Sequence, residues 1–210
     1  MRALLLTCLL LPCFALADDV RLKSRYDDDA DTFVTTGRVA LAVPLSTVVD
    51  IAGAFDHYRD WALIDINRKP EGGQFIVQLR DFRFQPGGAA GRGALDLYFD
   101  VDLVWPFGAE GEILRFDLRE KRPFGTGIDR LKVALGSDSS FVDQFDLVLW
   151  AEGDENGTAV RFESRVKVNA LVDPFFPLSV YRRNVEYRIA KVVRNLQTYV
   201  EQRARAANGP

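Results

Sequence analysis

The side chains that could carry out acid–base or metal chemistry are few in this 210-residue chain. His57 is its only histidine, and its two cysteines, Cys8 and Cys13, lie in an apolar stretch at the amino terminus. A catalytic triad requires an imidazole base beside its nucleophile, and a zinc site requires several imidazole or thiolate ligands. We therefore expect no metal site, no cofactor and no catalytic histidine, and we expect His57 to be exposed at a helix end.

Asp129 and Asp143 are the acidic residues with the strongest case for catalysis. Strand-like alternation in 128–135 and 141–149 would turn both carboxylates to the apolar side of a sheet. A carboxylate buried there would have a raised pKa and could act as a general base in a cyclase or dehydratase. Strand ends are often wet, however, and we favour the interpretation that both carboxylates are exposed. The sequence therefore assigns no catalytic residue.

A long amphipathic helix is predicted at the carboxyl terminus, from Leu178 to Ala207. Pro174 and Pro177 precede it and Gly209 follows it, as expected at the start and end of a helix. Arg182 falls inside its apolar stripe. The stripe must be buried, so the rest of the domain must lie against it. It consists of residues spaced by three and four: Leu178, Tyr181, Val185, Ile189, Val192, Val193, Leu196, Tyr199 and Val200.

Alternating apolar and polar residues predict strands through most of 64–170. The clearest are Ala94–Trp105 and Ala159–Ala170, and Asn156-Gly157 supplies a tight hairpin turn before the second of them. One apolar and one polar face are typical of an antiparallel sheet with one buried side. Shorter alternations occur at 75–79, 114–118 and 131–135.

A further strand and two short helices are predicted before this strand-rich region. The strand is Phe33–Val43, where apolar residues alternate with polar ones until Pro44. Residues Leu45–Trp61 then show helical spacing, with Ser46 or Thr47 as the cap. Gly53 is expected to divide this region into two helices.

The amino terminus is predicted to be a signal peptide, residues 1–17. It has one basic residue, an apolar core and a small residue at each end of Ala15-Leu16-Ala17. Its apolar stretch is too short to span a membrane, and no later segment is a candidate span. We expect a secreted protein, most consistent with the bacterial periplasm, whose mature chain has no cysteine. Residues 18–31 are expected to be an acidic linker, residues 32–207 the folded domain and 208–210 a tail.

Charge is unevenly distributed in the mature chain. Removal of Arg2 with the signal peptide leaves 26 basic and 30 acidic side chains, a net charge of −4. This balance argues against nucleic acid as a partner. The C-terminal helix nevertheless has seven basic and two acidic side chains. Its basic face is either a solvated surface or a site of transient contact with an anionic membrane or an acidic partner.

These elements predict an α+β fold of the helix-grip type. A curved antiparallel sheet would wrap around the long C-terminal helix, with two short helices after the first strand. The chain resembles the START-like superfamily, also called SRPBCC, which includes polyketide cyclases and the birch pollen allergen. The resemblance rests on the order of elements and on several packing motifs: Val43-Pro44 followed by Val48 and Val49, the Phe55-x-x-Tyr58-x-x-Trp61 pattern, the hairpin 153–158, and Val185, Ile189 and Leu196 of the last helix.

The resemblance implies a cavity between sheet and helix that accepts lipids, sterols, polyketides or other hydrophobic molecules. Arg182 is expected at its mouth, binding an anionic head group or carboxylate; alternatively its stem packs and its charge reaches solvent. The residues expected to bind the ligand are Leu97, Phe99, Val101, Phe116, Leu131, Val133, Phe162, Arg182, Val185 and Ile189.

Three functions are compatible with such a domain. The first, which we prefer, is a periplasmic carrier for a lipid or another hydrophobic small molecule. The second is a cyclase or dehydratase that uses the same cavity and needs a buried carboxylate. The third is an interaction module of the cell envelope whose core is filled by its own aromatic side chains.

Overall fold

The computed structural model describes residues 20–68, 77–89, 92–101, 108–120, 131–153, 155–170 and 172–207. The expected signal peptide and tail, together with Phe75, Leu103, Trp105 and Asp129, lie outside the described residues. The strands are β1 (Arg21–Asp27), β2 (Thr32–Leu41), β3 (Val77–Pro86), β4 (Arg92–Val101), β5 (Ala109–Glu120), β6 (Leu131–Leu135), β7 (Val142–Gly153) and β8 (Thr158–Val168). The helices are α1 (Leu45–Gly53), two 3₁₀ helices (Phe55–Asp60 and Asp173–Phe175), α2 (Leu178–Tyr181), a π-helical turn (Arg182–Glu186) and α3 (Tyr187–Ala207).

The strands form one antiparallel sheet in the order β1-β2-β8-β7-β6-β5-β4-β3. Burial alternates along β8 as the sequence pattern predicts, with Phe162, Ser164 and Val166 buried on the face toward the C-terminal helix. Register shifts that mark β-bulges interrupt β3, β5 and β7. Bulges bend a strand and increase its twist, so they help the sheet to curve around the helix. The predicted helix-grip architecture is confirmed.

The charged segment before residue 32 was expected to be a linker, but it contains an edge strand. Strand β1 pairs with β2 from Arg21 opposite Arg38 to Asp27 opposite Thr32. Its charges conceal an alternation in which Leu22, Ser24 and Tyr26 are the more buried residues. The two short helices therefore follow the second strand of the chain, not the first.

The helical region after β2 is divided at Gly53, as predicted. Helix α1 ends there and the 3₁₀ helix starts at Phe55. The predicted cap was wrong: Pro44 occupies the N-cap position, without a side-chain hydrogen bond to the helix. Proline fits there because its fixed φ angle suits the extended backbone of an N-cap residue, which here has φ −57° and ψ 147°. Val48 is fully buried and anchors α1 against the sheet.

The C-terminal helix runs from Leu178 to Ala207, but its second turn is π-helical. A π-helical turn accommodates an extra residue and changes the helical register on either side of it. Tyr181, Asn184 and Arg188 are consequently buried, together with Leu196 and Val200. No helix in the described ranges has the length and apolar character needed to cross a membrane.

A candidate ligand cavity between the sheet and the C-terminal helix

A cavity of about 420 Å³ lies between the concave face of the sheet and the C-terminal helix. Strands β3 to β8 contribute apolar side chains from one side, because alternate residues of each strand point toward the helix. The helix contributes Val185, Ile189, Val192, Val193 and Leu196 from the other side. Trp61, Ala62, Leu63 and Ile66 close the space between β3 and the helix. The volume falls within the range of about 300–1,000 Å³ that is usual for small-molecule sites.

Nine of the ten residues predicted to bind a ligand line this cavity. Their positions follow from strand alternation and helical spacing, which is why the sequence could place them. Whether they bind a ligand stays a prediction. They are Leu97, Phe99, Val101, Phe116, Leu131, Val133, Phe162, Val185 and Ile189.

Arg182 is the exception, since it does not line the cavity. Its guanidinium donates to the backbone oxygen of Ser24 over 2.8 Å and lies 3.9 Å from Glu186. Its side chain is 53% exposed. An uninterrupted α-helix would place Arg182 in the apolar stripe, but the π-helical turn rotates it away. The exposed alternative, in which the stem packs and the charge reaches solvent, therefore describes this residue better. Binding of an anionic head group by Arg182 stays a prediction.

Arg188 is the charged residue that the structure places in the described part of the wall. It is only 8% exposed. Its guanidinium donates to the backbone oxygen of Val77 and to Asn67 Oδ1, the latter over 3.3 Å. Burial lowers the pKa of Arg188 to about 10, because the charged form is poorly solvated there. Its hydrogen bonds join the helix to β3 and to the segment before β3.

Asn184 and Ser164 are two further polar residues of the wall that sequence reasoning did not select. Asn184 is 4% exposed, and its amide nitrogen donates to the backbone oxygen of Val180 over 2.8 Å. Its Oδ1 atom is buried without a hydrogen-bond partner. Ser164 is fully buried on β8. Ser164 could have been found from the sequence, because it is a serine on an otherwise apolar strand face. The inward position of Asn184 could not, because it depends on the π-helical turn.

A row of buried hydroxyl groups leads from β1 to the cavity wall. Ser24 Oγ and Thr35 Oγ1 are 2.7 Å apart, and Thr35 Oγ1 is 2.7 Å from the Tyr181 hydroxyl. Burial raises the pKa of Tyr181, whereas the hydrogen bond with Thr35 and the nearby Ser164 hydroxyl act in the opposite direction. Thr35 and Ser164 are direct cross-strand partners, so the row follows the register of the sheet.

The residues considered for acid–base catalysis do not meet in the cavity. Asp143 is exposed and accepts a hydrogen bond of 2.9 Å from Asn169. A bulge between Val142 and Gln144 breaks the alternation, so Val142 lines the cavity and Asp143 does not. His57 is exposed on the 3₁₀ helix, as predicted, 3.0 Å from Asp60. Asp129 lies outside the described residues. No carboxylate or imidazole among the described residues lines the cavity.

Comparison with solved structures identifies the fold. Similar structures include the Zhui aromatase/cyclase of Streptomyces sp. R1128, with a TM-score of 0.59 at 17% identity over 85% of this chain and 99% of that one. They also include a STAR-related lipid transfer protein of Xanthomonas axonopodis (TM-score 0.55, 11% identity, 87% and 93% coverage) and a START superfamily protein of Mycobacterium smegmatis (TM-score 0.51, 15% identity, 80% and 97% coverage). No family model and no curated protein matches the chain. The chain has a START-like, or SRPBCC, helix-grip fold.

Proposed function

We propose that this protein is a carrier that binds a lipid or another hydrophobic small molecule between the sheet and the C-terminal helix. The observation that supports the proposal is the 420 Å³ cavity, whose wall consists mainly of aliphatic and aromatic side chains. Water in such a space makes few hydrogen bonds, so its replacement by an apolar molecule is favourable. A lipid transfer protein is among the similar structures, which agrees with this use of the fold.

The cyclase alternative has less support from the site. An aromatase/cyclase is also among the similar structures. Cyclisation requires proton transfer at a substrate carbon or oxygen, and hence a residue that can exchange a proton near neutral pH. The described wall offers Arg188, whose pKa of about 10 keeps it protonated, and Tyr58, whose hydroxyl donates to the backbone oxygen of Ala52 over 2.6 Å. The filled-core alternative conflicts with the cavity itself.

The carrier proposal can be tested with two matched isoleucine substitutions. Ile189 lines the cavity, whereas Ile113 is 46% exposed on β5. Ile189→Trp should fill part of the cavity and weaken binding of the neutral fluorescent probe N-phenyl-1-naphthylamine roughly tenfold or more. Ile113→Trp should leave the dissociation constant within about twofold of wild type. Absence of probe binding to the wild-type protein, or equal weakening in both variants, would refute the proposal.

We also propose that the carrier is exported, on the basis of the signal-like residues 1–17. Periplasmic export would place the carrier between two membranes, where a shielded hydrophobic ligand has to cross water. Mass spectrometry of the protein expressed in a Gram-negative host would then find a periplasmic chain that begins at Asp18. A cytoplasmic chain that retains residues 1–17 would exclude export.

Contact with anionic membranes is proposed for the basic face of the C-terminal helix. Arg183, Arg194, Arg203 and Arg205 are exposed on it. Basic side chains near an anionic surface contribute about 1 kcal/mol each, and the attraction weakens with salt. The protein should bind vesicles of phosphatidylglycerol at low salt. It should not bind vesicles of phosphatidylcholine, and high salt should abolish its binding to phosphatidylglycerol. Equal binding to both vesicle types would contradict it.

A further inference from the structure

We propose that the carried molecule has a hydroxyl group, an alcohol or phenol on a hydrophobic body, and that this group is bound by Asn184 and Ser164. The inference rests on the proposed carrier function and specifies the class of its ligand. It comes from two oxygen atoms of wall residues that are buried without a normal hydrogen bond, Asn184 Oδ1 and Ser164 Oγ. A buried polar atom without a partner destabilises a protein by about 1–3 kcal/mol, so a ligand that supplies the partner gains that much.

The orientation of the Asn184 amide is determined by its neighbour. The backbone oxygen of Val180 can only accept a hydrogen bond, so the group 2.8 Å from it must be the amide NH₂. Oδ1 therefore occupies the other position of the amide, where it has no partner. An amide oxygen can only accept, and the ligand must consequently offer an O–H or N–H donor.

Ser164 supplies the complementary half of the interaction. Its hydroxyl lies close enough to the Tyr181 hydroxyl to lower that group's pKa, although it makes no hydrogen bond of normal geometry. A serine hydroxyl can rotate, and it can donate to a ligand oxygen.

The two residues lie at the same end of the cavity. Asn184 follows Tyr181 by three residues on the C-terminal helix, and the Tyr181 hydroxyl is beside Ser164. Val185, which follows Asn184, packs against the cluster that contains Tyr181 and Val166, and Val166 neighbours Ser164 on the inner face of β8. Val168, Val172 and Phe176 line the cavity at this end and keep the surroundings apolar.

A hydroxyl group matches this pair better than the other polar groups of common lipids. It can donate to Asn184 Oδ1 and accept from Ser164 Oγ at the same time. An ether oxygen can only accept, and an ionised carboxylate would place a negative charge against the amide oxygen. Arg188 does not reverse this preference, because its guanidinium is directed to Val77 and Asn67 at the β3 edge of the cavity.

Competition between two probes of similar size tests the inference. Displacement of N-phenyl-1-naphthylamine gives dissociation constants for 1-decanol and for decyl methyl ether in each protein. The readout is the dissociation constant of the ether divided by that of the alcohol, and this ratio is compared with its wild-type value. The different hydration of the two probes cancels in the comparison. Asn184→Leu should lower this ratio about tenfold, and Ser164→Ala should lower it about threefold or more. Ser24→Ala, which removes a buried hydroxyl that does not line the cavity, should leave it unchanged.

The possible outcomes separate this inference from the carrier function. If the ratio stays at its wild-type value in Asn184→Leu and Ser164→Ala while both probes bind, the hydroxyl-binding role is wrong and the carrier function stands. If Asn184→Leu does not fold, Ser164→Ala against Ser24→Ala decides the question. If neither probe binds the wild-type protein, the proposed function fails first. A ratio that falls equally in Ser24→Ala would indicate general loosening of the fold and would also refute the inference.

Discussion

Asn67 illustrates how single polar residues shape the edge of the cavity. Its side chain donates to the backbone oxygen of Leu79 over 2.6 Å and accepts from the Leu79 amide over 3.0 Å. Its Oδ1 atom also accepts from Arg188. These bonds occupy the backbone groups of the edge strand β3 and attach the wall segment 61–68 to both the sheet and the helix.

Replacement of Asn67 should therefore loosen this side of the cavity. Asn67→Ala removes both bonds to Leu79 and one acceptor of Arg188, and we expect the free energy of unfolding to fall by about 1–3 kcal/mol. Gln144→Ala is the control, because the Gln144 amide makes an exposed bond to Asp146. Urea denaturation measures both variants. A loss for Asn67→Ala no larger than that for Gln144→Ala would show that these bonds contribute little.

Asp96 provides a pH-dependent contribution to stability on the outer face of the sheet. It is 3% exposed and accepts two bonds from Arg115, of 2.6 and 2.8 Å, and one of 2.7 Å from Gln85. The hydrogen bonds from Arg115 hold the pKa of Asp96 below its usual range, and burial opposes them. An aspartate with a lowered folded pKa stabilises the fold above its unfolded pKa, about 3.9. This stabilisation is lost as pH falls through the folded value.

Asp96→Asn should accordingly flatten the acid limb of the stability curve. We expect the variant to be less stable than wild type by about 1–2 kcal/mol at pH 6. The expected loss is small because the Arg115 side chain is 45% exposed, so that solvent screens its charge. The difference from wild type should shrink below pH 4. Urea denaturation across pH 2–7 measures it, and a constant difference over that range would contradict the account.

At the scale of elements, the close packing of β2 and β8 sets the position of one cavity wall. Gly37 lies opposite Phe162 in this strand pair, and Phe162 lines the cavity. A methyl group added at Gly37 would overlap the Phe162 ring and stand 2.6 Å from Leu22 Cδ2. Glycine is thus required here by a close approach of side chains.

Gly37→Ala should displace the Phe162 ring, lower the free energy of unfolding by about 1–3 kcal/mol and weaken probe binding. The matched control is Gly88→Ala, because a methyl group there has no atom within 4 Å. Thermal unfolding together with N-phenyl-1-naphthylamine titration measures both effects. Wild-type stability in Gly37→Ala would show that β1 and β8 shift without cost.

Elements with unbroken periodicity could be predicted from the sequence, and those with an inserted residue could not. The dry face of β4 follows from simple alternation, and so does that of β8. Simple alternation and helical spacing turn Asp143 and Arg182 toward the apolar side, but a bulge in β7 and a π-helical turn each add one residue and rotate these side chains away from it. The exposed position that we favoured for Asp143 is the one observed. Strand β1 was missed because its solvent-facing charges dominate its composition.

At the scale of the whole molecule, the sequence could not decide whether aromatic side chains fill the interior. The structure shows that many of them pack against each other along the wall. Phe116 and Phe145 meet edge to face with centroids 4.9 Å apart, and Phe99 and Phe141 do so at 5.9 Å. Such pairs are favourable in themselves. The rings therefore line the curved sheet and leave the space beneath the helix open.

Native mass spectrometry tests most directly whether this space carries a ligand. Wild-type protein and the Ile189→Trp and Ile113→Trp variants are each incubated with a bacterial lipid extract and then separated from excess lipid. We predict one bound hydrophobic molecule per chain in wild type and in Ile113→Trp, and at least about tenfold lower occupancy in Ile189→Trp. Wild-type protein at its bare mass, or equal occupancy in all three proteins, would contradict a carrier that binds its ligand between the sheet and the C-terminal helix.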